Sequence, residues 1–115
     1  MPPLRIAQIV KLKPEHADAY IKLHTAVWPS VLKRIADSHI CDYSIFYDKQ
    51  SGILFASFKY TGEDYEGDMK MVAEDGETRR WWGVTDFMQE SFCEGVRGSV
   101  EGGWWRVLEE VFYVA

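Results

Sequence analysis

The sequence predicts an α+β fold in the order βαββαβ: a four-stranded antiparallel sheet with both helices on one face. Three observations carry that prediction. Runs that alternate with a period of two occupy Arg5 to Leu12, Cys41 to Tyr47 and Ile53 to Tyr60. A stretch with three-and-four apolar spacing fills Pro14 to Ser38, and a polar loop holding Gly52 separates the second and third alternating runs. Period two marks half-buried strands, the longer period marks an amphipathic helix, and the polar interruption marks a hairpin.

The first strand ends near Lys13, because Pro14 follows directly and suits the first turn of a helix. Glu15 there complements the positive end of the helix dipole. The helix runs to about Ser38, with Pro29 inside the pattern, where it removes one backbone bond and kinks or restarts the helix just after Trp28. Ala17, Tyr20, Ile21, His24, Val27, Trp28, Val31, Leu32 and Ile35 form its core-facing stripe. In the next strand Cys41, Tyr43, Ile45 and Tyr47 share one face, and Asp42, Ser44 and Phe46 the other. Beyond Thr61 an acidic opening, a cluster of Met69, Met71, Val72 and Ala73, and the break at Asp75-Gly76 predict a short helix, then a second from about Glu77 to Ser91. A glycine-rich stretch leads to Trp104-Trp105, and Val107 to Val114 reads as the closing strand.

This order matches the ferredoxin-like arrangement. Tyr, Phe and Val occur on both alternation sets of the strands, so neither face of the sheet is cleanly polar. A homodimer covering the second face is the economical solution, which makes the assembly a dimeric α+β barrel.

Composition narrows the function. With 115 residues, 47% hydrophobic and 27% charged, the chain reads as one domain spanning residues 1–115. A chain of this size buries somewhat over ~60% of its unfolded surface, enough for a core without staples. The net charge of −5 argues against nucleic-acid binding, which needs phosphate-neutralising basic surface. The start from Met1 to Arg5 lacks the regions of a secretory signal, and no apolar run reaches the length of a membrane span, so a cytoplasmic protein is expected. Cys41 and Cys93 are expected as reduced thiols. Five tryptophans are too many to hide in so small a core, so some should line a cleft for a ligand with apolar faces and polar edges.

Tyr20, His24 and Trp28 lie four residues apart and drift by only about 80° around a helix, so all three project from its apolar side. His24 is either a general acid or base tuned by burial, or a core histidine satisfied by one backbone carbonyl. Trp81 and Trp82 sit about 100° apart on a helix, so one belongs at the margin of the core. Indole faces pack on the C–H face of a sugar, or else the pair simply anchors the helix to the sheet. Tyr43 is a strand tyrosine with the same two options, and Tyr20 has a hydroxyl suited to the mouth of a pocket. No phosphate loop, Cys-x-x-Cys or His-Glu-x-x-His occurs. His16 and His24 lack a third ligand nearby, so no metal site is expected.

Four segments resemble the L-rhamnose mutarotases. They are Tyr20 to Pro29, read as Y-x-x-x-H-x-x-x-W-P; Asp42 to Asp48 with Leu54-Phe55-Ala56; Arg80-Trp81-Trp82 with Thr85-Asp86-Phe87-Met88; and Leu108 to Tyr113. Each is short, but four in this order make the combination specific. The resemblance implies a small dimeric ferredoxin-like isomerase that interconverts the α and β anomers of L-rhamnose, a 6-deoxy hexose, without a cofactor. It implies His24 as proton donor, Tyr20, Tyr43, Trp81 and Trp82 as sugar contacts, and Trp28 as a pocket wall. The stretches Thr61 to Asp75 and Ser91 to Trp105 are longer than the family's pattern, and both would border the pocket. Two rival activities suit the same residues: a cofactor-independent monooxygenase on a dimeric α+β barrel, and a non-catalytic sugar-binding module.

Overall fold

A computed structural model describes residues 4–115; most of the Met1 to Arg5 start, on which the expectation of no secretory signal rests, lies outside the described residues. Strand β1 (Leu4–Leu12) is followed by a 3-10 turn (Pro14–His16), helix α1 (Ala17–Leu23), a second 3-10 turn (His24–Ala26) and helix α2 (Pro29–Asp37). Strands β2 (Ile40–Asp48) and β3 (Ile53–Tyr60) form the hairpin. Helices α3 (Tyr65–Glu74) and α4 (Gly76–Met88) come next, then two short strands, β4 (Gln89–Glu90) and β5 (Arg106–Val107).

The sheet runs β2-β3-β1-β4, all neighbours antiparallel, with β5 also on β1. This is the ferredoxin-like order, but the fourth position is shared by two fragments: Gln89–Glu90 pairs with Lys11 and Leu12, and Arg106–Val107 pairs with Gln8 and Ile9. The glycine-rich stretch loops out between them. The closing strand expected over Val107 to Val114 is therefore corrected, because pairing stops at Val107 apart from one bond from the Leu108 N–H to the Ala7 carbonyl. Val111, Phe112, Tyr113 and Val114 are left exposed, Phe112 by 81%.

Pro29 does not kink a continuous helix; it starts a new one. Trp28, the residue before it, takes an extended backbone with ψ near 132°, as steric contact with a proline ring requires. The stripe breaks with the helix: Tyr20 and Val31 are buried, but Ile21 and Leu32 point outward, because a single 100° period no longer runs through the 3-10 turn.

β2 carries a second local correction. A bulge between Cys41 and Ser44 sets Asp42 and Tyr43 opposite Phe58, with Asp42 at φ 50°. The extra residue shifts the alternation by one, so Cys41 pairs with Lys59 on the outer face, while Tyr43 stacks on Phe58 on the helix side. Asp42 then reaches outward to Arg5, Nη2 to Oδ2 2.7 Å.

The core lies between sheet and helices in two clusters. One gathers Val10, Leu12, Tyr20 and Leu54 against Met88 and Trp104; the other gathers Ile40, Phe58 and Tyr60 against Ile35, Tyr65 and Met69. Asp64 and Asp75 cap α3 and α4 by accepting bonds from the Gly67 and Thr78 N–H groups, which fixes where the two helices break. On the sheet's other face the rings of Phe46 and Phe55 form an exposed cross-strand pair. Among the described residues no helix is long and apolar enough to cross a membrane.

Candidate active site

Thr78, Trp81 and Thr85 recur at three-and-four spacing on α4 and are its buried residues. That face turns Trp81 into the core at 7% exposure and leaves Trp82, one step around the helix, at the margin. Both indoles line a cavity of about 590 Å³ between the sheet and the helices, within the usual range for small-molecule sites. Tyr43 and Phe58 supply the sheet wall, Val31 and Ile35 the α2 wall, and Tyr65, Met69 and Lys70 the α3 wall. The end is closed by residues 99–105, where Gly102 and Gly103 both take positive φ, 80° and 76°, and so turn Trp104 and Trp105 to the cavity.

Tyr20 and His24 are not part of that lining, and His24 meets it through Trp81. The His24 ring lies 4.3 Å from the Tyr20 ring and 5.3 Å from Trp81, edge-on, between centroids. Trp28 packs against Trp81 at 5.1 Å, so the residue before Pro29 backs the cavity wall from behind rather than lining it. The structure thus brings Tyr20, His24 and Trp81 into ring contact, and Trp81, Trp82 and Tyr43 into one cavity.

The polar atoms of the site have definite roles. His24 Nδ1 lies 2.8 Å from the Tyr20 carbonyl oxygen, which only accepts, so Nδ1 carries a hydrogen and donates it. This is the carbonyl bond expected of a core histidine. It also leaves Nε2 with no hydrogen-bond partner among the described residues, on a half-buried ring. Burial pushes the Tyr43 phenol up to about 12, although 39% of the residue as a whole stays exposed. Burial likewise raises the Tyr20 phenol well above its ordinary value, opposed by a hydrogen bond from Gln89. Asp86 is raised by burial, opposed by bonds it accepts from the Ser99 hydroxyl at 2.6 Å and N–H at 2.8 Å, which pin the glycine-rich stretch to α4.

Trp104 and Trp105 line the cavity, in keeping with the excess of tryptophan and with a Ser91 to Trp105 stretch that borders the pocket. Gln89, which bonds both Tyr20 and Trp104, is a lone glutamine without a motif and carries no sequence signal. Among the described residues no three His, Cys, Asp or Glu side chains gather as a metal-binding group.

Comparison with known proteins points to one family. The family model described as L-rhamnose mutarotase matches residues 5–114. An L-rhamnose mutarotase of Phocaeicola vulgatus is 38% identical over 79 residues, 69% of this chain and 70% of that protein. One of Formosa agariphila is 31% identical over 110 residues, 96% of this chain and 97% of that protein. The crystal structure of an L-rhamnose mutarotase from Formosa agariphila superposes with a TM-score of 0.76 at 26% identity, covering 97% of this chain and 99% of the other. This chain belongs to the L-rhamnose mutarotase family.

Proposed function

We propose that this protein interconverts the α and β anomers of L-rhamnose by acid/base-assisted ring opening, with His24 as the proton donor. The observation that carries the reading is the engaged Nδ1 of His24. With that nitrogen donating to the Tyr20 carbonyl, any proton the imidazolium delivers leaves from Nε2.

The reaction needs only protons. One arrives at the ring oxygen while another leaves the anomeric hydroxyl; the bond from the anomeric carbon to the ring oxygen breaks and a carbonyl forms. Rotation about the adjoining carbon–carbon bond presents the other face of the aldehyde, and the same oxygen recloses the ring. His24 in its protonated form supplies the first proton. Tyr43, a protonated phenol that burial pushes further from ionising, serves as a donor to sugar hydroxyls rather than as the opposing base. The departing proton goes to a wall carboxylate, Glu66 or Glu101, or to solvent. Trp81 and Trp82 hold the apolar face of the sugar, where the methyl group of a 6-deoxy hexose adds contact area, and Tyr20 provides a further hydroxyl contact.

We place the working unit as a homodimer in the cytoplasm. The exposed Phe46–Phe55 pair and the apolar tail from Val111 to Val114 are surfaces that a second copy would bury. The thiols of Cys41 and Cys93 are unpaired, as in a reducing compartment.

The test is saturation-transfer NMR on L-rhamnose, L-fucose and other free sugars. Acceleration of anomer exchange for L-rhamnose above the rest is expected. An exchange rate for L-rhamnose equal to that without protein sinks the reading.

A further inference from the structure

Gln89 joins two parts of the molecule that lie far apart in sequence. Its carboxamide, on a residue 3% exposed, donates from Nε2 to the Tyr20 hydroxyl at 3.1 Å, and its Oε1 accepts from the Trp104 indole Nε1 at 2.9 Å. An indole N–H only donates, so Trp104 dictates which end of the amide faces which partner. With Oε1 held by Trp104, the amide N–H must point at Tyr20, and the Tyr20 oxygen must accept. The hydrogen of that phenol is then left without a partner among the described residues. Were the amide reversed, Tyr20 would donate to Oε1 and its hydrogen would be spent inside the protein.

We propose that Gln89 is a positioning residue of the sugar site: oriented by Trp104, it makes the Tyr20 hydroxyl a hydrogen-bond donor reserved for an oxygen of the bound 6-deoxy hexose. This rests on the reading of the site as that of a sugar isomerase. It also gives the glycine-rich stretch a function. Ser99 ties it to Asp86, the Ser91 hydroxyl donates to the Trp104 carbonyl, and the two left-handed glycines aim the indole at Gln89, so the loop controls the polarity of a hydroxyl two hydrogen bonds away.

The experiment measures KM and kcat for L-rhamnose anomer exchange in wild type, Gln89→Glu, Trp104→Phe, Tyr20→Phe and the Gln89→Glu/Tyr20→Phe double variant, with thermal unfolding alongside. A carboxylate at this position accepts from both neighbours and captures the Tyr20 hydrogen, and Trp104→Phe frees the amide to reverse. Both should raise KM about five- to tenfold, the worth of one hydrogen bond, with kcat within about twofold of wild type. The double variant should match Tyr20→Phe alone, since Gln89 acts through that hydroxyl. Lowering the pH until the introduced carboxylate gains a proton should return the KM of Gln89→Glu toward wild type. Unchanged KM in Trp104→Phe, or in a folded Gln89→Glu, overturns the inference, as does a double variant whose KM exceeds that of Tyr20→Phe several-fold. If Gln89→Glu does not fold, the Trp104→Phe/Tyr20→Phe double variant decides: its KM should match that of Tyr20→Phe alone, and a KM several-fold higher overturns the inference. A wild type that leaves exchange at the uncatalysed rate overturns the isomerase reading and this inference with it; a catalysing wild type beside variants of normal KM overturns the inference alone.

Discussion

Trp81 stands edge-on to His24, with ring centroids 5.3 Å apart and 73° between the planes. One indole thereby belongs to two environments. Its buried side packs on His24 and Trp28, and it also lines the cavity with Tyr43 and Trp82. The His24 ring is half-buried against an apolar indole, a setting in which water competes poorly for a proton.

Replacing His24 by Ala should slow L-rhamnose anomer exchange by about 10²- to 10⁴-fold, the usual worth of a positioned acid. Far-ultraviolet circular dichroism should show an intact fold, because Tyr20 and Trp81 keep their own packing. Undiminished exchange in a folded variant would remove His24 from the chemistry.

The two indoles of α4 should separate binding from stability. Trp81→Ala empties a core position and should cost about 3–5 kcal/mol in chemical denaturation. Trp82→Ala, at the margin, should cost clearly less stability while raising KM for the sugar. Equal losses of stability for the two would contradict their different burial.

Asp68 should govern acid sensitivity. It accepts hydrogen bonds from the Tyr60 hydroxyl and from His39, at 3.0 Å to Nδ1, and these hold its carboxyl below the ordinary 3.8. A depressed acid favours the folded state once the unfolded chain would be ionised. Its contribution is therefore present above pH 3.8 and lost as pH falls through the lower folded value. Thermal unfolding of Asp68→Asn should show a lowered midpoint at neutral pH and a shallower decline toward pH 3 than wild type. Parallel acid profiles would assign the sensitivity to other groups.

The apolar tail should report on assembly. Sedimentation should find wild type as a dimer, and Phe112→Glu should shift it toward monomer by placing a charge on surface that the proposed second copy would cover. A wild type that sediments as a monomer at micromolar concentration would refute the homodimer.

The first three strands, the hairpin and the helix breaks were legible because each depends on neighbours in the chain, whereas the helix expected to run to Ser91 stops at Met88 and gives way to β4. Alternation names the faces of β1 and β3, Pro14 and Pro29 favour helix starts, and Asp64 and Asp75 cap the N–H groups three residues on. His24, Tyr43, Trp81 and Trp82 stood out because a polar or bulky ring in an apolar pattern is visible in one dimension. The rest depended on packing. The slip of Cys41 to the outer face follows from a single extra residue in β2, which no alternation count locates. Which indole is buried depends on the angle at which α4 meets the sheet, and Tyr20 meets Gln89 and Trp104 only once the loop has folded back. The family resemblance between Leu108 and Tyr113 marked the tail as significant, but its pairing needs a partner strand, and β1 is occupied beside it only as far as Val107. Sequence by itself determined the order of elements and the chemistry available, since both are properties of residues and their neighbours. Tertiary structure decided which of those residues meet and in which hydrogen-bonding sense, because a donor or an acceptor has direction only when its partner is in place.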